Sequence, residues 1–224
     1  MGLEFLNFSF LGSYYSFFLQ GAYVTVLLAI ISVIAGTILG VLLTLMRRSK
    51  IKVVRWISIA YVEFIRGTPL LAQVYLVYVG LPMLLQLNIP DFTTGAIALT
   101  IHASAYISET MRSGIEAVPY GQSEAARSLG MNSRRTMLDI ILPQAFKNIL
   151  PALGNQFIGN IKDSSLVSVI GIAELMYETT TVRGTTALGL EPIIVCSLIY
   201  LVLTLTLTRL LTFVERRLKS SDHR

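Results

Sequence analysis

The chain has 224 residues, 54% of them hydrophobic and only 14% charged, with a mean hydropathy of +0.67. A soluble domain carries roughly 25% charged residues, so this composition excludes an ordinary soluble fold and points to a membrane bundle. The net charge of +5 does not indicate nucleic-acid binding, because the cations sit at the ends of apolar runs and no basic patch is interleaved with aromatics.

A single domain over residues 1–224 is expected, since no Pro/Ser/Gly-rich linker divides the chain. The one cysteine, Cys196, lies in an apolar run and leaves no intrachain disulfide to form. The first twenty residues hold Glu4 and no Lys or Arg, unlike the basic start of a signal peptide. Their aromatics, Phe5, Phe8, Phe10, Tyr14, Tyr15, Phe17 and Phe18, predict an interfacial segment. The first span is expected over 22–46, long enough at ~1.5 Å per residue to cross a core of roughly 30 Å with tilt. Gly36 and Gly40 on it form a small-xxx-small pair suited to close helix contact.

Arg47, Arg48, Lys50, Lys52 and Arg55 follow, placing this end in the cytoplasm. An interfacial or bent helix to Ile65 is expected next, then a break at Gly67-Thr68-Pro69 and a second span over 69–85. Glu63 and Arg66, three apart, are expected to neutralise each other. Residues 82–91 form an outside loop, and the third span covers 92–112. The fourth, over 145–172, is interrupted by Pro151, Gly154, Gly159 and the polar run Lys162-Asp163-Ser164-Ser165. Glu174 to Glu191 reads as a long outside loop, and the fifth span, 192–213, ends in Glu215-Arg216-Arg217 and a basic tail. Arg183 is the only cation assigned outside, so the layout is N-terminus out and C-terminus in.

Between the third and fourth spans lies a polar island, EAARSLGMNSRRTMLDIILP, from Glu124 to Pro143. Gln122 to Leu129 predicts a short helix, with Gly130 placed as a left-handed terminator. Asn132 or Ser133 can cap a second helix carrying Arg134 and Arg135. On the short helix Ala125, Ala126 and Leu129 share a lightly apolar face, while Glu124 and Arg127 face water. A helix this short needs a partner to hold it, either a groove on another protein or the rest of the chain.

Glu124-Ala125-Ala126, Gly130 and Ile140-x-Leu142-Pro143, at their spacing, resemble the EAA-x3-G-x9-I-x-L-P signature of ABC importer permeases. Arg66-Gly67-Thr68-Pro69-Leu70-Leu71 and Lys162-Asp163-Ser164-Ser165-Leu166 likewise resemble stretches of the polar amino-acid permeases. The resemblance implies an all-α integral membrane fold of the type I importer kind, with five transmembrane helices and a cytoplasmic coupling helix over about 122–130. It further implies two cytoplasmic ATPase subunits, which would carry ATP and Mg, and an external substrate-binding protein. Glu124, Ala125, Ala126, Arg127, Leu129 and Gly130 would then form the handle that the ATPase grips. Five helices do not readily enclose a pathway, so a second permease subunit, identical or sister, is also expected.

No phosphate-binding G-x4-G-K-[ST] loop, G-x-S-x-G elbow or H-E-x-x-H pair occurs, and an enzymatic role has no chemistry to stand on. No cofactor or metal is expected on this chain, which has two histidines and one cysteine. What remains is polarity at membrane depth, where an unpaired ionisable group costs several kcal/mol and marks a functional candidate. Asp163 is expected to accept an ammonium or cationic side chain of an amino acid, with Ser164, Ser165 and nearby amides taking the carboxylate. The competing reading is that Lys162 and Asp163 offset one another. His102, Tyr106 and Glu109 share a face of the third span and would give the pathway an acidic, aromatic wall. They serve equally as interhelical hydrogen-bonding groups, as do Gln73, Tyr75 and Thr204. These residues favour arginine, lysine or histidine without excluding glutamine or glutamate. The rival functions are an ion-gradient-driven secondary amino-acid transporter and a non-transporting membrane scaffold.

Overall fold

In a computed structural model the chain is described over residues 6–220, with side chains to 216, and every regular element there is helical. Glu4, Phe5, His223 and the side chains of Arg217, Lys219 and Arg224 lie outside the described residues. The first helix, α1, runs Leu11–Arg47. The aromatic segment from Leu11 on is thus continuous with the first span's helix. Phe18, eight residues into α1, is buried, and Phe10 packs beside it ahead of the helix start.

α1 buries a stripe of small residues, Gly21, Thr25, Ser32, Gly36, Gly40 and Thr44, spaced so that they share one face. Two of its threonine hydroxyls donate to carbonyls four residues back, Thr37 to Val33 (2.7 Å) and Thr44 to Gly40 (2.8 Å), so they are satisfied within the helix. The stripe receives α4 (Asp91–Glu116), which runs alongside in the same sense. A Cβ at Gly36 would stand 2.9 Å from the Ala103 side chain, and one at Gly40 2.8 Å from that of Ile107. Gly21 instead faces backbone, 2.7 Å from the Leu175 Cα. All three atoms nearest the Gly21 Cβ are backbone, whereas at Gly40 two of the three belong to the Ile107 side chain and the third is the Ser104 carbonyl oxygen at 3.1 Å. Gly21→Val is therefore expected to lower stability by more than Gly40→Val, whose overpacking costs about 1–3 kcal/mol. Thermal unfolding of both variants in detergent, with exposed Gly67→Ala as control, measures the order.

α2 (Lys52–Gly67) and α3 (Leu70–Leu85) meet at a 114° bend. Pro69 has no N–H to continue the helix and forces Thr68 before it into extended backbone, φ −118° and ψ 148°. α2 crosses α1 and α4, where Ser58 donates to the Leu43 carbonyl (2.7 Å) and Tyr61 meets Ile101 and Ser104. Arg66 does not pair with Glu63 as expected. It turns to Glu109 of α4, 3.6 Å away, because the bend aims the end of α2 at that helix.

After α4 comes the short α5 (Tyr120–Ser128), then α6 (Ser133–Arg135), a π-helical stretch Thr136–Ile141 and α7 (Leu142–Asp163). Pro143 offers no N–H to the carbonyl of Asp139, and the widened turn sits immediately before it. α7 runs opposite to α4: Asn148 and Ile149 lie against Gly114, Asn160 against Ser32, and Val167 against Gly95. Past Asp163 the helix tightens to a 3₁₀ segment, Ser164–Ile170, which Gly171 ends at φ +87°.

The stretch expected as a loop from Glu174 to Glu191 contains α8 (Leu175–Thr186). Its threonines, weak helix formers on propensity, each bond a carbonyl four residues back, and the Glu174 carboxylate caps the Tyr177 N–H at 2.8 Å. α9 (Glu191–Ser220) closes the bundle against α7 and α8. Among the described residues α1 and α9 are long and apolar enough to cross a membrane, and the bent α2–α3 pair makes a third. α4 and α7 carry more polar residues, of which His102, Ser104, Ser108 and Asn160 are buried.

Candidate functional site

Helix α5 is held by little. Ala126 is its one buried residue, while Ala125 is exposed and Leu129 and Tyr120 stand 84% and 75% open. The shared face expected of Ala125, Ala126 and Leu129 is thus split, with one member inward and two outward. Glu124 and Arg127 border a cleft of about 670 Å³ between α5 and the stretch Ser133–Ile141, with Arg48 at its edge. Gly130 sits at φ +81°, and a Cβ there would meet nothing within 4 Å. Glycine is needed at that position for its backbone angle rather than for space. Asn132 then caps the next helix by accepting the Arg135 N–H at 2.9 Å. A compact, left-handed reversal thus ends α5.

A second cleft, of about 410 Å³, lies where α3, α4 and α7 converge at the bend and the 3₁₀ break. Thr68, Pro69 and Leu70 form one wall, His102 and Tyr106 a second, and Gln156, Gly159 and Asp163 the third. A Cβ on Gly159 would point into open space, so this glycine keeps the cleft unfilled. Asp163 is half-buried and its carboxylate accepts no hydrogen bond from another described residue. The His102 and Tyr106 rings lie 4.7 Å apart, and the Arg66 guanidinium stands 5.8 Å from the Tyr106 centroid. Tyr106 also lines a further cleft, of about 370 Å³, with Arg66, Glu109 and Asn148, so the two open spaces adjoin along the face of α4.

Other expected contacts fall elsewhere. Ser164 is fully buried and donates to the Ile161 carbonyl (2.8 Å), outside the cleft, because the 3₁₀ turn points its hydroxyl back into the helix. Ser165 likewise donates to Lys162 (2.7 Å), and the Lys162 side chain is exposed. Glu109 provides no free acidic wall. Arg47 (3.1 Å), Arg66 (3.6 Å) and Arg112 surround it, and Arg112 also binds Glu116. Gln73 is buried and bonds His102 rather than lining the cleft. Tyr75 faces outward, and Thr204 bonds the Tyr200 carbonyl.

Two residues escaped the sequence reading. Gln156 lines the cleft, and its place seven before Asp163, two helical turns on one face, was the available signal. Its amide donates to Asn160 (3.0 Å), which donates in turn to Ser32 (3.0 Å). Glu174 is wholly buried at the opposite end of the bundle, accepting from Thr25 (3.3 Å) and Tyr200 (2.8 Å), and burial pushes its carboxyl up. Nothing in its apolar-threonine context announced that role.

A helical bundle with a short helix between α4 and α7 and a polar cleft at broken helices has the type I ABC importer permease fold. A solved amino-acid ABC transporter with histidines matches 95% of this chain and 99% of its own, at TM-score 0.91 and 45% identity. An inward-facing MetNI methionine ABC transporter shares the fold at TM-score 0.76 and 18% identity, over 91% of this chain and 97% of its own. Residues 32–220 match the binding-protein-dependent transport system inner membrane component family, and the chain belongs to it as an amino-acid ABC transporter permease. The arginine transport system permease ArtQ of Bacillus subtilis is 43% identical over 92% of this chain and 94% of the relative. The probable glutamine ABC transporter permease GlnM of the same organism is 41% identical over 96% and 100%.

Proposed function

We propose that this permease moves a cationic amino acid into the cytoplasm by alternating access, driven by two ATPase subunits that grip α5. The observation that carries the reading is the cleft in which Asp163, His102, Tyr106 and Gln156 converge beside the broken end of α7. A half-buried carboxylate in a cleft with aromatic faces suits an ammonium or guanidinium, and irregular backbone at this depth belongs along a polar cavity. The similarity to an arginine permease supports the substrate class.

The chain crosses the membrane five times in this reading, as one domain, through α1, the α2–α3 pair, α4, α7 with its 3₁₀ extension, and α9. The alternating directions of α4, α7 and α9 support that count, as does the clustering of Arg47, Arg48, Arg112, Arg134 and Arg135 toward one end. That end is cytoplasmic by the positive-inside rule, which puts the N-terminus outside. A second permease subunit completes the pathway, an external binding protein delivers substrate, and ATP and Mg reside on the ATPase partners. Uptake then follows from a population shift between inward and outward states.

The test is uptake of labelled arginine by proteoliposomes holding the permease, its ATPase subunits and the binding protein. Uptake is expected to require ATP on the ATPase side and to persist when ionophores collapse all ion gradients. Uptake that follows an ion gradient without ATP would establish the secondary-transporter alternative instead.

A further inference from the structure

Gln73 is the buried hinge between the α2–α3 bend and the cleft, and its hydrogen bonds settle how its amide is turned. Its Nε2 lies 2.6 Å from the Ile65 carbonyl, 3.0 Å from the Thr68 carbonyl and 2.9 Å from Thr68 Oγ1. Both carbonyls can only accept. Thr68 Oγ1 gives its own proton to the Phe64 carbonyl at 2.9 Å, so toward Gln73 it accepts as well. Turning the amide over would set Oε1 against three acceptors. The NH2 end therefore faces the bend, and Oε1 is the end that meets His102 Nδ1 at 3.0 Å.

An amide oxygen has no proton to offer, so Nδ1 of His102 must supply one. In a neutral imidazole the other nitrogen is then a bare acceptor. No buried side-chain nitrogen or oxygen among the described residues lacks a partner, and none bonds His102 Nε2, so that atom is open to its surroundings. The open space against His102 is the cleft that also holds Asp163.

We infer that Gln73 is a positioning residue that locks His102 as the Nδ1–H tautomer, presenting Nε2 as an acceptor to the cleft that Asp163 also lines. The inference deepens the import reading above and rests on it. Two acceptors lining one cleft select a substrate head that only donates. A guanidinium carries five donors and no acceptor and an ammonium three, whereas a glutamate side chain would set acceptor against acceptor. Arg66, the cation near Tyr106, is paired with Glu109 and does not supply the missing donors. The selectivity is thus encoded at the bend: the carbonyls freed by Pro69 and its neighbours orient Gln73, Gln73 orients His102, and His102 reads the substrate.

The chain has two histidines, so His223→Gln leaves His102 as its only one. The permease, labelled with 15N-histidine and assembled with unlabelled ATPase subunits in lipid nanodiscs, reports the tautomer by solid-state NMR. At neutral pH the expected spectrum shows a protonated Nδ1 and an unprotonated Nε2. Arginine should shift the Nε2 resonance saturably, and glutamate should leave it in place. Gln73→Met, which keeps the length and removes the acceptor, should mix the tautomers and weaken arginine binding about tenfold, the scale of one hydrogen bond to a charged group. A protonated Nε2 in the unsubstituted complex overturns the inference without touching the import reading, and needs no variant to fold. An Nδ1–H tautomer that ignores arginine while ATP-driven arginine uptake proceeds overturns it equally. Absence of uptake for every amino acid, with the tautomer in place, sinks the import reading and the inference with it.

Discussion

A complex carrying Gly130→Val is expected to insert and assemble normally yet lose ATP-driven uptake by roughly tenfold or more, equivalent to at least about 1.4 kcal/mol of coupling. At φ +81° a β-branched residue is disfavoured on backbone grounds alone, and no neighbour stands within 4 Å of the added Cβ to spread the damage. The strain falls on the turn that ends α5. That helix has nine residues and one buried side chain, Ala126, too little to resist a change in its exit geometry. The bundle core, built from α1, α4 and α7, is not in contact with Gly130. Glu124→Lys acts on the same handle from its exposed side, reversing a charge at the edge of the α5 cleft. In reconstituted liposomes both variants should show ATP hydrolysis no longer stimulated by the loaded binding protein. Normal transport by either would remove α5 from the coupling role.

Asp163→Asn is the second large expected effect. The substitution preserves size and a carbonyl acceptor but removes the charge, and a hydrogen bond to a charged group contributes about 1.5–3 kcal/mol. The KM for arginine should therefore rise roughly ten- to a hundredfold. Asp163 is half-buried and the charge acting on its carboxylate is that of the exposed Lys162, so the change leaves the packing of the bundle in place. Membrane levels and basal ATP hydrolysis should stay near those of the unsubstituted protein. An unaltered arginine KM would show that substrate passes without touching this carboxylate, and the competing role of Asp163 as a mere counter-charge to Lys162 would stand.

The reach of sequence reasoning differed by element for identifiable reasons. Gly130 and Asn132 were legible because a left-handed turn and an N-cap are local chemistry, settled within a few residues. The break at Thr68-Pro69 was legible for the same reason, as proline acts on its immediate neighbours. Arg66 was misassigned to Glu63 since i,i+3 spacing describes a pair on an isolated helix, while a 114° bend brings a better acid from α4. α8 was missed because threonine reads as loop until its hydroxyls are seen closing on carbonyls one turn back and Glu174 is seen capping the start.

By itself the sequence determined the membrane composition, the EAA-type signature and the presence of polar groups on what become α4 and α7. Those are consequences of residue type and spacing along one chain. Which of the polar groups meet was decided only by the packing. Asp163, His102, Tyr106 and Gln156 share a cleft, while Ser164 turns back into its helix and Glu109 is surrounded by arginines. A side chain's partner at membrane depth depends on helix rotation and on the close approach that residues such as Gly36 and Gly40 permit, and neither is fixed until the helices dock.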